Sequence, residues 1–166
     1  YHQSVRLEAQ NTGKGLFATL DWRNEINSQT YAVIYNQQTG GRETYPVNIN
    51  GNWNTSGMFR YQKRLRNFNI STTGRGSYAQ SISLVNEGQS EQPERSKTLS
   101  TGINTDIRLS YNPKWGGFDW TGYWWFQHST NSLRQTDMYT RNYSFSLNAY
   151  GDLPGNIHLK TEVTNS

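Results

Sequence analysis

The chain alternates apolar and polar side chains over long stretches. Between residues 99 and 111 the odd positions are Leu, Thr, Ile or Tyr, whereas the even positions are Ser, Gly, Asn, Asp and Arg. A period of two is typical of a β-strand whose two faces meet different surroundings. Strands of globular proteins have about 5 or 6 residues, whereas a strand that crosses a membrane needs about 9 to 11. The alternation therefore predicts a membrane-crossing strand.

The same alternation recurs in other parts of the chain. It is found at residues 45–61, 118–126, 139–149 and 157–163. We therefore predict an all-β fold, an antiparallel meander of about eight long strands that forms a transmembrane β-barrel or part of one. Residues 1–166 are expected to form a single β-barrel segment.

Two places interrupt this regularity. Residues 16–35 change phase partway, which predicts a bulge near residues 25–29 or an upper part that stands above the bilayer. The pair Asn50 and Gly51 is a strong hairpin signal. Because one phase continues from residue 45 to residue 61, we interpret this pair as the middle of a strand.

The connections between the segments differ in length. Short connections rich in Gly, Pro, Asn and Lys are predicted at residues 11–14, 62–66, 112–116 and 151–155. Polar and mostly longer connections are predicted at residues 37–41, 87–96 and 129–135. Short turns at one end and longer loops at the other are typical of outer-membrane barrels.

The composition is compatible with a barrel wall and excludes other classes. Only 33% of the residues are hydrophobic and the mean hydropathy is −0.91, which is too little for a thick core. Intrinsic disorder is excluded because disordered chains are poor in aromatic residues, whereas this chain has six Trp and eleven Tyr. Since no apolar run approaches about 18 residues, any membrane role has to come from strands.

Charge and cysteine content give no sign of other chemistry. The net charge is +4, but the basic residues are scattered apart from residues 63–66, so we expect no nucleic-acid partner. There is no Cys, and the three His lie in separate segments without metal-ligand spacing. No metal and no other cofactor are expected.

The acidic residues do not predict catalysis. Asp106, Asp119, Asp137 and Glu162 could supply a pair of carboxylates. Paired catalytic carboxylates must lie within several Å of each other, and the sequence gives no reason to expect this of these four. Charged side chains that face a barrel lumen are the simpler interpretation. We therefore expect that the protein is not an enzyme and has no catalytic residues.

Three short runs resemble a known family. They are Pro-Val-Asn-Ile-Asn-Gly-Asn-Trp at residues 46–53, Tyr-Gln-Lys-Arg-Leu-Arg-Asn-Phe at residues 61–68 and Ser-Tyr-Asn-Pro-Lys-Trp at residues 110–115. With the long Ser-rich strand and the acidic polar loop between them, this order resembles the barrel portion of outer-membrane β-barrel proteins of Bacteroidota, which are related to TonB-dependent receptors.

This resemblance implies a location and a function. The chain would be a segment of a transporter that takes up a bulky nutrient, a metal chelate or a glycan, across the bacterial outer membrane. Its partners would be outer-membrane lipid, a small-molecule or glycan ligand, and the TonB system through a plug domain. The plug domain and the signal peptide are missing from residues 1–166.

One feature departs from the family pattern. The sequence ends on Val-Thr-Asn-Ser at residues 163–166 instead of a terminal aromatic strand. This departure, and the missing plug, favour a fragment of a larger barrel. If the eight segments were the whole protein, they could close as a small barrel filled by side chains, without a wide pore.

The two parities assign the side chains to two environments. The polar parity predicts residues that line the lumen: Asp106, Arg108, Asp119, Tyr123, Trp125, Lys160 and Glu162. The apolar parity and the aromatic girdle predict residues that face lipid: Ile103, Ile107, Leu109, Trp115, Trp120, Trp124, Phe126, Phe145 and Leu147.

The aromatic cluster at residues 115–126 has two interpretations. Trp rings stack on the apolar faces of sugars, but they also prefer the headgroup level of a membrane, and we favour the membrane belt. Two alternatives to a transporter stay open: a soluble all-β carbohydrate-binding module, and a structural or adhesive outer-membrane barrel without transport. A soluble module predicts shorter strands and a buried face in each sheet.

Overall fold

The computed structural model describes residues 1–35, 38–85, 93–133, 135–153 and 157–165. These residues form a short 3₁₀ turn, Thr12–Lys14, and ten strands. The strands are β1 (His2–Asn11), β2 (Leu16–Glu25), β3 (Ser28–Tyr35), β4 (Arg42–Ile49), β5 (Asn52–Leu65), β6 (Phe68–Val85), β7 (Glu94–Tyr111), β8 (Gly116–Asn131), β9 (Thr136–Leu153) and β10 (Ile157–Asn165). The described residues contain no helix of the length and hydropathy needed to cross a membrane.

Eight of the strands form one antiparallel sheet in the order β1-β2-β5-β6-β7-β8-β9-β10. The other two, β3 and β4, pair with each other in a separate hairpin. Three strands of the main sheet have 18 residues each. The predicted all-β antiparallel meander of long strands is therefore confirmed, with two more strands than expected. The described residues form an open sheet, because β1 and β10 do not pair with each other.

The register keeps the two faces of the main sheet separate on all eight strands. Residues directly opposite each other point to the same face, and Ile107 lies opposite Thr72 on β6 and Gly122 on β8. We call the face with the odd-numbered side chains of β7 the apolar face, and the other the polar face. The apolar face carries mostly aliphatic, aromatic, Thr and Gly residues, because every ladder preserves the alternation.

No second layer covers most of the apolar face. Four of its central side chains, Ile103, Ile107, Phe145 and Leu147, are 36–40% exposed. Within the described part of the chain the only buried hydrophobic residues are Ala32 and Ile49, and both belong to the β3–β4 hairpin. A sandwich would bury this face against a second sheet, so the described fold lacks the core of a sandwich.

The β3–β4 hairpin continues the β2–β5 ladder beyond a kink. Glu25 pairs with Asn52 and Ser28 pairs with Ile49, which is one continuous register with two residues omitted on each side. At the kink Asn27 has a positive φ of 54°, and its backbone N–H donates to Asn50 Oδ1 at 2.6 Å. The change of phase predicted near residues 25–29 is therefore a break between two strands.

The prediction that Asn50 and Gly51 lie in mid-strand is wrong. β4 ends at Ile49 and β5 begins at Asn52, because Gly51 adopts a φ of 106° that interrupts extended backbone. A Cβ at Gly51 would lie 2.6 Å from Ile82 Cδ1, so the position accepts only glycine without rearrangement. The alternation of side chains keeps the same parity on β4 and β5, because the β3–β4 and β2–β5 ladders share one register.

The predicted turns are mostly in place. β1 and β2 are joined by the 3₁₀ turn, β5 and β6 by two residues, Arg66 and Asn67, and β7 and β8 by residues 112–115. The β5–β6 turn is shorter than predicted, and so is the loop predicted at 129–135, because the strands extend further. The predicted connections 37–41, 87–96 and 151–155 lie partly outside the described residues. We call the end of the sheet that carries the β1–β2, β5–β6 and β7–β8 turns the turn end, and the opposite end the loop end.

Candidate functional site

The polar face of the main sheet contains all seven side chains that the sequence assigned to a lumen. Asp106 lies opposite Tyr123, and Arg108 lies opposite Thr121. Asp119 and Glu162 both lie opposite Asn148, on its two neighbouring strands. The other two are Trp125, opposite Asn104, and Lys160, opposite Tyr150. The register therefore brings Asp106, Tyr123 and Trp125 close together, whereas Lys160 lies on an outer strand.

Arg75 on β6 is a central residue of this face that the sequence analysis missed. It lies opposite Asn104 and lines two neighbouring grooves. One, of about 470 Å³, also contains Asp106, Arg108 and Tyr123. The other, of about 340 Å³, contains Asn104 and Trp125. The parity of residues 68–85 would have placed Arg75 on this face, but its position beside Asp106 depends on the β6–β7 register.

Asp106 has hydrogen-bonding capacity that the described residues leave unused. Its Oδ2 atom is buried and has no hydrogen-bond partner among them. A buried acceptor without a partner is costly, and a carboxylate oxygen accepts from hydroxyl, amide and guanidinium donors. Asp106 therefore offers an acceptor to a donor that enters the larger groove.

Two aromatic rings stand on the polar face among short polar side chains. Tyr123 is 43% exposed and Trp125 is partly buried. Because they are two positions apart on one strand, their side chains lie on the same face about 6 to 7 Å apart along it. Trp125 is flanked by Asn104 and Asn142. Flat rings next to amide and carboxylate groups can hold a ligand with both apolar and hydroxyl-bearing surfaces.

Eight of the nine residues predicted to face lipid lie on the apolar face, where they share a register with Leu99 and Tyr111. The ninth, Trp115, lies in the β7–β8 turn and is 67% exposed. Its carbonyl oxygen accepts from the Asp152 backbone N–H at 2.9 Å, which fixes the turn to β9.

Aromatic rings gather at both ends of the apolar face. At the turn end Tyr111 lies 6.4 Å from Phe68 and 6.0 Å from Phe118, between ring centroids. Towards the loop end, contacting rings lie 5.2–6.5 Å apart: Trp53 with Tyr78, Trp124 with Phe126, and Phe126 with Tyr139. Between the two rows the face carries mostly aliphatic residues, Thr and Gly, together with one charged residue, Arg141, and aromatic residues that include Phe59, Trp120, Tyr143 and Phe145. The sequence analysis did not identify the aromatic row nearer the loop end as a whole.

A polar cluster ends the apolar face at the loop end of β8 and β9. The His128 ring stacks on Tyr139 with centroids 4.4 Å apart and its Nε2 donates to Asp137 Oδ1. The Tyr139 hydroxyl donates to Asp137 Oδ2 at 3.0 Å. The hydrogen bond from His128 holds the pKa of Asp137, at the loop end of β9, below its usual value.

In the described part of the chain no three His, Asp or Glu side chains lie together in a way that could hold a metal ion. No protein-family model matches the sequence, and searches of curated proteins and of solved structures find no match. The two faces of the sheet are therefore the basis for the functional proposal below.

Proposed function

We propose that the chain forms part of the wall of a transmembrane β-barrel in the outer membrane of a Gram-negative bacterium. The resemblance to TonB-dependent receptors suggests a transporter that takes up a bulky nutrient such as a glycan or a metal chelate. The main support is the uncovered apolar face, which keeps one phase across eight strands opposite a polar and charged face. Lipid would contact the first face and water the second.

The stagger of the strands supports a barrel wall. A row of directly paired residues starts at Asn11, at the turn end of β1, and crosses the sheet to Asn165 on β10. The turn end of β10 is Ile157, so the row has moved eight residues away from the turn end. This stagger of eight residues is about 26 Å along the strands, over about 34 Å across seven strand spacings. The strands are then tilted by about 38°, and barrel strands are tilted by about 35–45°.

The height of the apolar band agrees with the thickness of a bilayer. On β7 the apolar face carries no charged side chain from Leu99 to Tyr111, and the next residue on this face is Lys97. This stretch is about 40 Å long along the strand, which at that tilt corresponds to about 31 Å along the membrane normal. The hydrocarbon core of a bilayer is about 30 Å thick.

The free-energy cost of the apolar face depends on whether water or lipid is in contact with it. Apolar surface in contact with water costs about 25 cal/mol per Å² relative to burial, and soluble monomers rarely expose contiguous apolar patches above a few hundred Å². Here exposed Leu, Ile, Val and aromatic side chains continue from Leu7 on β1 to Val163 on β10. Contact with lipid removes this cost.

The polar face supplies the ligand contacts in this proposal. Tyr123 and Trp125 would stack on flat or apolar parts of a nutrient, while Asp106 and Arg75 would bind its polar groups. Asp119, Lys160 and Glu162 would line the water-filled interior further along the sheet. No step of this function requires a catalytic residue.

Two neighbouring tryptophans allow a sharp test. Trp124 lies on the apolar face and Trp125 on the polar face of the same strand. Two variants each retain a single Trp, Trp124 or Trp125, with the other five Trp changed to Phe. In vesicles with brominated lipid, which quenches Trp fluorescence on contact, the Trp124 variant should lose several-fold more fluorescence than the Trp125 variant. Equal quenching of the two, or none, would contradict the proposal.

A further inference from the structure

A third groove lies on the polar face, at the turn end of β5, β6 and β7. It has a volume of about 330 Å³, which is near the lower end of the range for small-molecule sites, about 300–1,000 Å³. Three of its residues, Arg64, Asn69 and Ser110, form one row of directly paired residues. Ser110 is an even-numbered residue of β7, so the groove opens on the polar face.

Hydrogen-bond donors line this groove, and none of its described lining residues is acidic. Two of them are arginines, and four carry a side-chain amide: Arg64, Arg66, Gln62, Asn67, Asn69 and Asn112. The amide oxygen of Asn112 accepts a hydrogen bond from the Tyr150 hydroxyl at 2.6 Å, which leaves the amide nitrogen to donate. Guanidinium and amide N–H groups together suit a ligand that is rich in oxygen acceptors.

The two arginines of the groove are available to a ligand. Arg64 and Arg66 are exposed and form no ion pair with any described residue. A guanidinium is planar and binds a carboxylate, sulfate or phosphate group through two parallel hydrogen bonds. Two unpaired guanidinium groups that line one groove repel each other, and an anion between them removes this repulsion.

The acidic residues nearest to the groove have basic neighbours of their own. Asp106 and Arg60 lie on the two sides of Thr73, about 10 Å apart. Asp119 is opposite Ser110 at the edge of the groove, and it is diagonal to Arg108 across the β7–β8 ladder. Two arginines outside the groove therefore offset these two acids, and the excess positive charge belongs to the groove itself.

We propose that this groove binds a carboxylate or sulfate group of an acidic glycan, and that the transported nutrient belongs to this class. The inference rests on the proposed function and specifies its ligand. The amides favour a glycan over a metal chelate, because they form hydrogen bonds with the hydroxyl groups that sugar units carry.

The position of the groove favours an oligosaccharide over a single ion. Tyr123 is opposite Asp106, which is four residues from Ser110 on β7. The pair of aromatic rings formed by Tyr123 and Trp125 therefore begins about 13 Å from the groove along the strand. An oligosaccharide can stack on the rings and place an acidic group between Arg64 and Arg66 at the same time.

Inorganic sulfate tests the groove without any choice of sugar. With the protein in detergent, the guanidinium Nε–H NMR signals of Arg64 and Arg66 should shift with sulfate in a saturable way, and added NaCl should weaken the binding. Arg23 is the control, because it is an exposed arginine on β2 of the same face, outside the groove. Shifts of equal size at Arg23, or shifts that do not saturate, would show only general charge screening and would overturn the proposed site.

Two oligosaccharides that differ only in charge test the ligand class. Oligogalacturonate carries a carboxylate on each sugar unit, and its methyl ester of the same length is neutral. In calorimetric titrations the acidic form should bind about tenfold more tightly than the ester, the effect of one charge-assisted contact. The double variant with Arg64→Gln and Arg66→Gln should bind both forms alike, whereas Arg23→Gln should keep the preference for the acidic form.

A conservative variant separates loss of binding from loss of folding. Arg64→Lys keeps the positive charge and removes the planar donor pair, so it should weaken binding of the acidic form several-fold and leave binding of the ester unchanged. Equal affinities of the two forms for the parent chain, including no measurable binding of either, would overturn the acidic glycan as the ligand. So would a preference for the acidic form that persists in the double variant.

The outcome for the groove is distinguishable from the outcome for the proposed function. The binding measurements use detergent and soluble ligands, so they require neither a bilayer nor transport. Lipid quenching of Trp124 and Trp125 reports on the membrane location separately. Stronger quenching of Trp124 together with equal affinities for the two oligosaccharides would refute the ligand class alone, whereas equal quenching would refute the barrel wall.

Discussion

Adjacent residues on one strand belong to different environments in this protein. Leu147 lies on the apolar face and is 36% exposed, whereas Asn148 lies on the polar face between Asp119 and Glu162. A one-residue step is therefore enough to change the outcome of a substitution.

Leu147→Arg should lower the free energy of unfolding by about 2 to 4 kcal/mol if Leu147 lies near the bilayer midplane. Asn148→Arg is the matched control, because it places the same side chain between two carboxylates and should be neutral or slightly stabilising. Urea unfolding in vesicles measures both. Equal effects of the two substitutions would argue against the assignment of the faces.

The His128 and Asp137 contact predicts a pH dependence. A lowered carboxyl pKa contributes stability that is present above the usual Asp value of about 3.9 and is lost as the pH falls through the lowered pKa. His128→Ala should therefore raise the pKa of Asp137 towards that value. NMR titration of the Asp137 carboxyl measures the shift, and an unchanged pKa would show that the hydrogen bond does not form.

At the level of single residues, parity alone assigned the side chains to the two faces. It could not find Arg75 beside Asp106, nor the unpaired Oδ2 of Asp106, because both depend on the register between β6 and β7. That register places Arg75 opposite Asn104 and Thr73 opposite Asp106, and the parity of one strand does not determine its register with the next.

Most elements were predictable from an unbroken period of two. The kink between β4 and β5 was not, because the alternation of side chains continues through Asn50 and Gly51 while the backbone does not. The Asn-Gly signal was present in the sequence, but the continuous phase outweighed it. The alternation of side chains indicates which residues share a face, but it does not indicate where the extended backbone is interrupted.

Gly51→Ala should destabilise the kink by about 1 to 3 kcal/mol, because alanine disfavours the positive φ and its Cβ would meet Ile82. Gly76→Ala is the control, since no atom lies within 4 Å of its added Cβ. The readouts are the urea midpoint and the rate of proteolysis in β3–β4. The kink would not require glycine if both variants behaved like the parent chain.

At the scale of the whole molecule, the main sheet has no core of its own. The described fold buries only Ala32 and Ile49 among its hydrophobic residues, so the apolar face costs free energy in water and is stabilised only where an apolar medium covers it. This property separates the proposed barrel wall from a soluble carbohydrate-binding module, which would bury one face of each sheet.

We therefore expect the chain to aggregate in buffer and to be monodisperse in detergent or lipid, because only an apolar medium covers the exposed face. Size-exclusion chromatography with light scattering, in buffer with and without detergent, measures this. A folded monomer in plain buffer would favour the soluble binding module instead.

The stagger between β1 and β10 has a consequence for movement along the polar face. Rows of directly opposed side chains start at the turn end of β1 and climb eight residues by the time they reach β10. A molecule that passes from one strand to the next along such a row advances and rotates at once. If the proposed barrel encloses a channel, the path of such a molecule would be helical, and the side chains that it meets in succession would come from successive strands and not from one.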